Sequence, residues 1–303
     1  MNRVLGLLAL ALLGSGAVQA GGLRFCEQPT QLSASQQDKQ LRFVAIVKEE
    51  LERSGQGVAL VSRAGTDLSR FGMRYSHAGL ALRDSDNTPW SVRQLYYVCD
   101  EAAPKLYDQG LAGFLIGANQ AEIGYLSVLL FAPAESAAIE RAALDKRNAL
   151  QLLAPSYSAN AYPFSARYQN CNQWVAELLA ATLGNLGQGA AQEEIRPQAQ
   201  AWLKAQGYRP ALFDIGFAPL LWGAAAFIPW VHNDDHPAED LAAARYLVSM
   251  PASIEGFVQQ TMAGAQRIEF CHNGRYVLIR RGWGPGLAEG CVAEAQDRVI
   301  ALN

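Results

Sequence analysis

Three strand-like runs stand in front of a helix that opens on a cysteine, and this order constrains the fold more than any other feature of the chain. "RYSHAGLALRD" (74–84) reads as a strand with small residues inside, "TPWSVRQLYYV" (88–98) alternates like a paired strand, and the "RDSDN" between them supplies a hairpin turn. "IGYLSVLLFAP" (123–133) is apolar enough for a central strand. In "RYQNCNQWVAELLA" (167–180) Val175, Leu178 and Leu179 follow Cys171 at helical spacing, so the cysteine shares the stripe that packs on the sheet. Antiparallel strands followed by such a helix predict an α+β fold.

The flanking segments fit that frame. "SASQQDKQLRFVAIVKEELERSG" (33–55) reads as a helix capped by Ser33 or Ser35 and ended by Gly55 and Gly57. "VALVSRAG" (58–65) reads as a strand and turn, "DLSRFGM" (67–73) as a short helix, and "ESAAIERAALDKRNALQLL" (135–153) as a longer one. The uncharged run 215–231 contains Pro219 and Pro229, which favours a buried helix pair or a pocket wall over a membrane span. The 303 residues suffice for one large domain or two modest ones, and no internal repeat divides them. The expected division is a leader over 1–20, a core with its N-terminal helix over 21–184, and a C-terminal α+β extension packed on the core over 185–303.

The leader is read from "MNRVLGLLALALLGSGAVQA", with basic Arg3, an apolar run from Val4 to Leu13 and small residues up to Ala20. This is the pattern of a cleaved signal peptide, giving a mature chain from about Gly21 that is periplasmic or secreted, with no transmembrane span left. Net charge is only −3, which argues against electrostatic capture of nucleic acid. Export permits disulfides. Five cysteines (Cys26, Cys99, Cys171, Cys271, Cys291) allow two bridges and one thiol, and four paired cysteines allow three connectivities. The expected pairs are Cys271–Cys291 and Cys26–Cys99, leaving Cys171 reduced; a bridged Cys171 is the alternative.

A thiol attacks carbonyls as its thiolate, which a helix N-terminus stabilises through its open N–H groups and dipole. Cys171 stands at such a place, with Asn170 or Asn172 to cap the helix. The other reading is a small buried residue, since cysteine packs as a hydrophobe. Among four histidines, His77 shares its strand face with the small residues Gly79 and Ala81, which leaves room for a helix end. On the next strand Gln94 can orient the ring, while Arg93 points to the opposite face. Tyr168, Asn170 and Trp174, around the cysteine, are the expected substrate-binding residues.

"YSHAGLAL", a following strand, and a helix opened by "QNCNQW" resemble the circularly permuted branch of the NlpC/P60 superfamily, over roughly residues 55–182. The resemblance implies a papain-like core in which His77 is the base, Gln94 the orienting residue and Cys171 the nucleophile. That family's third residue is often acidic or histidine, so glutamine departs from the pattern. The whole chain is also similar to a family of uncharacterised exported bacterial proteins. The function implied is a thiol-dependent hydrolase or acyltransferase acting on an amide, ester or thioester of a cell-envelope peptide or lipid, with no cofactor and no metal. The alternative is a non-catalytic periplasmic binding or assembly module of the same fold.

A second cluster, "WVHNDDHPAED" (230–240), gathers His232, Asp234, Asp235 and His236. It reads as a helix cap in a polar loop, with Pro237 at the first helical position, or as a cleft wall, or as a metal site of a third, hydrolytic kind. His272, beside Cys271, reads as a surface residue near a disulfide.

Overall fold

The computed structural model describes residues 32–116, 123–187 and 191–302. The expected leader and Cys26 lie outside them. Helix α1 (Ala34–Arg53) begins at a capping box in which Ser33 accepts from Gln36 N and the Gln36 side chain returns to Ser33 N. Then follow β1 (Val58–Arg63), β2 (His77–Leu82), β3 (Ser91–Val98), β4 (Ala103–Gly110), α2 (Leu111–Ile116) and β5 (Gly124–Leu130). Helices α3 (Pro133–Leu144), α4 (Lys146–Gln151), α5 (Cys171–Leu183) and α6 (Gln192–Ala205) come next. The remaining elements are β6 (Ala211–Asp214), α7 (Ala218–Phe227), α8 (Ala238–Ala242), β7 (Arg245–Val248), α9 (Pro251–Thr261), β8 (Gln266–His272), β9 (Tyr276–Arg281) and β10 (Arg298–Ala301).

Eight strands form one antiparallel sheet in the order β10-β9-β8-β5-β1-β2-β3-β4. Period-two alternation gives it two apolar faces. Val58, Leu60, Ala78, Leu80, Leu82 and Leu95 pack under α3, α5, α6 and α9. Ala59, Val61, Ala81, Val92, Val128 and Phe270 pack against Phe43 and Val47 of α1 and Phe114 of α2. The protein is thus a mixed α+β structure built on a large antiparallel sheet with helices on both sides. Because β5 pairs with β8 from Gly124↔His272 to Leu130↔Gln266, the C-terminal segment completes this sheet. The boundary expected near 184 therefore does not separate a core from an extension. The β6–β7 ribbon with α7 and α8 gathers a small core of its own, around Leu221, Leu241, Tyr246 and Met250.

Several expectations change in detail. The helix over 135–153 breaks at Asp145, whose extended backbone ends α3 while its side chain caps α4 through Arg147 N and Asn148 N. Strand β4 was not anticipated; it pairs with all of β3 and tolerates Pro104 because it is the sheet edge. The run 215–231 is not a buried pair: in α7 only Leu221 is buried, and Leu220, Trp222 and Phe227 are exposed. His272 is not a surface residue. It packs its ring 4.8 Å from that of Phe43, and burial pushes its pKa down to about 4. Its partner must be glycine, since a Cβ on Gly124 would stand 2.6 Å from His272 Nε2.

Cys271 and Cys291 form the expected disulfide. Cys99 is also disulfide-bonded, and Cys171 keeps its thiol. Among the described residues no helix is long and apolar enough to cross a membrane.

Candidate active site around Cys171 and His77

The first turn of α5 is held by two asparagines that flank the cysteine. Asn170 is the N-cap: its Oδ1 accepts from Gln173 N at 2.7 Å, and its Nδ2 donates to the carbonyls of Ala159 and Ser249. Asn172 Nδ2 donates to Ser76 O at 3.1 Å and Ser249 O at 3.2 Å. Cys171 is the first helical residue and is 8% exposed. These bonds tie the helix start to the residue just before β2 and to the turn between β7 and α9.

His77 is the first residue of β2, in register with Arg63 of β1. Its Nε2 lies 2.6 Å from Gln94 Oε1, and Gln94 Nε2 donates to Gln109 Oε1 at 2.8 Å. The amide carbonyl can only accept, so Nε2 carries the proton and Nδ1 keeps a basic lone pair. Tyr96 and Phe114 flank the ring, with centroids at 6.1 and 5.8 Å. Burial and then the Arg63 charge push the His77 pKa down to about 3, against the Gln94 bond, which raises it. His77 is therefore neutral at physiological pH.

The structure thus brings His77 to Gln94 directly and brings the Cys171 turn to the main chain beside His77. The approach differs from the one expected. The His77 side chain lies on the α1/α2 face with Phe114, while Cys171 packs with Ala78 and Leu80 on the opposite face. The space at Gly79 is filled by β3 rather than by a helix end: a Cβ there would stand 2.5 Å from Val92 Cγ1 and 3.0 Å from Arg93 O. The two elements meet at the sheet end. β2 pairs with β3 only over Leu80–Leu82, and its first residues pair with β1 alone, so β2 and β3 part where the α5 turn is bonded.

Of the expected substrate residues, Trp174 cannot touch a substrate. It is fully buried, with Nε1 donating to Ala149 O at 3.1 Å, because three residues of helix turn it under α4. Asn170 is occupied as the cap. Tyr168 stays half-buried, stacked on His232 at 4.3 Å.

The second cluster proves to be a brace. Asp235 Oδ2 accepts from Tyr162 N at 2.8 Å, His236 Nε2 lies 2.7 Å from Asn160 O, and Asp234 pairs with Arg167 at 2.5 Å. Burial lowers the pKa of His236 and raises that of Asp235. Pro237 caps α8 rather than opening it. These contacts fasten the loop before α5, and among the described residues no group of three or more His, Cys, Asp or Glu side chains could hold a metal.

Three features escape the sequence reading. Arg63 is the cation that acts on His77, while Arg93 is bound to Asp108 at 2.6 Å. The charged end of the apolar run "VALVSR" is the one signal that could have exposed it. Under α5, fully buried Glu177 accepts from Gln169, Arg196 (2.8 Å) and Gln200 (2.7 Å), fixing the helix from within. On the same face of the sheet Glu255 of α9 is buried near Ser62 and Ser127, and burial pushes its pKa up to about 7.

The family profile described as "Uncharacterized protein conserved in bacteria (DUF2145)" matches residues 50–258, well over half of the chain. No curated protein and no solved structure matches.

Proposed function

We propose that this chain, which belongs to the DUF2145 family, is an exported thiol-dependent acyl-transfer enzyme of the permuted NlpC/P60-like kind. The observation that carries the reading is the 2.6 Å bond between His77 Nε2 and Gln94 Oε1 beside the anchored first turn of α5. It leaves Nδ1 as the ring's proton acceptor, with the Cys171 turn bonded to the main chain just before His77. The Cys171 sulfur attacks the carbonyl of an amide, ester or thioester, and its proton passes to His77 Nδ1. The tetrahedral intermediate expels the leaving group, which takes that proton from His77, and water or another acceptor then releases the acyl group from sulfur. Backbone N–H groups at the α5 start stabilise the oxyanion. Cell-envelope peptides and lipids are the substrate classes this export-linked reading favours, and the Cys271–Cys291 bridge is compatible with an oxidising compartment.

The depth of His77 favours a second reading, a binding or assembly module of the same fold, because a ring with a pKa of about 3 is a weak base at rest. Incubation with a p-nitrophenyl acyl ester, read by intact mass, separates the two. The enzyme reading expects an acyl adduct on Cys171, none in Cys171→Ser, and formation slowed at least about 100-fold in His77→Ala. An adduct that forms equally fast without His77, or no adduct at all, leaves the binding module.

A further inference from the structure

Helix α7 is apolar on every side yet is held at the surface. Leu221 is its buried contact, and the Leu221 carbonyl accepts from Asn233 Nδ2 at 3.1 Å, which in turn is fixed by Tyr246 OH at 2.6 Å from Asn233 Oδ1. Around this anchor Phe217 (59% exposed), Leu220 (57%), Trp222 (58%) and Phe227 (78%) face solvent. At a hundred degrees per residue, Leu220 and Phe227 fall on one flank of the helix and Trp222 on the other. No charged residue occurs from Ile215 to Val231.

We propose that α7 inserts into the interfacial layer of a lipid bilayer. A protein partner covers one face and fixes its orientation through a polar rim. Here the flanks on either side of Leu221 are both apolar and the helix carries no such rim, whereas fluid hydrocarbon covers both flanks at once. Ten residues rise about 15 Å, against about 30 Å of bilayer core, so the helix dips in and does not span. The polar face that an interfacial helix ordinarily carries is supplied by the rest of the protein, through Leu221 and Asn233. The aromatic side chains suit the headgroup boundary. After α7 the chain continues to Trp230, whose ring lies 5.5 Å from Tyr97 and whose carbonyl accepts from Ala159 N, next to the α5 cap. The segment that leaves the helix therefore runs beside the Asn170 cap of α5, and the membrane reading does not depend on catalysis there.

Flotation of the purified, disulfide-bonded chain with phosphatidylethanolamine/phosphatidylglycerol vesicles and with phosphatidylcholine vesicles tests it. The parent protein floats with both, independently of salt, and Leu220→Ser/Trp222→Ser/Phe227→Ser lowers partitioning at least tenfold, by a rough estimate from the apolar area removed. Trp222→Phe still floats but loses fluorescence quenching by lipids brominated in their acyl chains. Absence of flotation, salt-sensitive binding to the anionic vesicles alone, or unchanged flotation of the triple variant would each overturn the proposal. Self-association that disappears in the triple variant, without flotation, would assign the surface to a second copy instead. Acylation of Cys171 by a water-soluble ester is read separately in the same variants, so failure at the membrane and failure of the catalytic reading are distinguishable.

Discussion

Replacing His77 by glutamine should remove a defined part of the protein's sensitivity to acid. In the folded chain His77 holds its neutral form down to about 3, against an ordinary value of 6.5. As pH falls through the ordinary value the unfolded chain takes up a proton that the folded chain refuses. Stability present above that value is therefore lost on the way down to the folded pKa and is constant below it. For this one ring the loss between pH about 7.5 and pH about 5 works out at about 2 kcal/mol. His272, pushed down to about 4, contributes in the same direction, and so does His236. Glu255, raised to about 7, contributes with the opposite sign, but equally in parent and variant. Guanidinium unfolding of parent and His77→Gln at the two pH values isolates the His77 share: the variant should lose about 2 kcal/mol less on acidification. Equal losses, or a His77 ring resonance titrating near 6.5, would refute the assignment of a ring that burial keeps neutral into the acid range.

Three further outcomes follow from single contacts. Changing Cys271 and Cys291 together to serine opens a bridge spanning 20 residues, and should cost about 3 kcal/mol in chemical unfolding. Trp174→Ala empties a fully buried site and strips the Ala149 carbonyl of its donor; a loss of about 3–5 kcal/mol is expected, with a lowered melting temperature. Glu255→Gln removes a carboxylate that must ionise in place above its raised pKa, so unfolding at pH about 8 should show a gain of about 3 kcal/mol that shrinks below about 1 kcal/mol at pH about 5.

The sheet was legible because its strands are short apolar or alternating runs bounded by turn residues. "YSHAGLALRD" and "SVRQLYYV" each commit one set of residues to each face, and β1, β2, β3 and β5 appear where those patterns lie. Helix α5 and its cap were legible for a local reason, since Asn170 and the apolar spacing after Cys171 act within one turn. What depends on long-range pairing was not legible. Nothing in "RIEFCHNGRYVLIRRG" says that it will dock on β5 and join the N-terminal sheet, because antiparallel partners need only matching faces. The neighbours of His77 were half legible. Alternation placed Gln94 beside it, but Arg63 came from register and Phe114 from a helix that the sequence did not announce. Hydropathy misled at α7, because it measures how apolar a segment is and not whether another element arrives to cover it.

The anchoring of α5 turns the catalytic reading into a question about one side chain. Asn172 Nδ2 is the direct hydrogen bond described between the Cys171 turn and the residue before His77, through Ser76 O at 3.1 Å. Asn172→Ala removes it and leaves the carbonyls of Ser76 and Ser249 with one donor fewer, at a cost of about 1–3 kcal/mol of stability. Asn170→Ala removes the cap and its donations to the Ala159 and Ser249 carbonyls, at a cost of about 1–3 kcal/mol, and leaves the link to β2 in place. Both variants weaken the helix start, but only the first removes its hydrogen bond to the residue before His77. If the thiol works through that imidazole, a displacement on the order of 1 Å lowers the rate about 100-fold. Asn172→Ala should then acylate far more slowly than Asn170→Ala when both are fully folded, with the pH dependence of acylation altered in the first alone. Equal rates and equal pH profiles would mean that Cys171 reacts without His77, and the anchored turn would be a structural joint between helix and sheet.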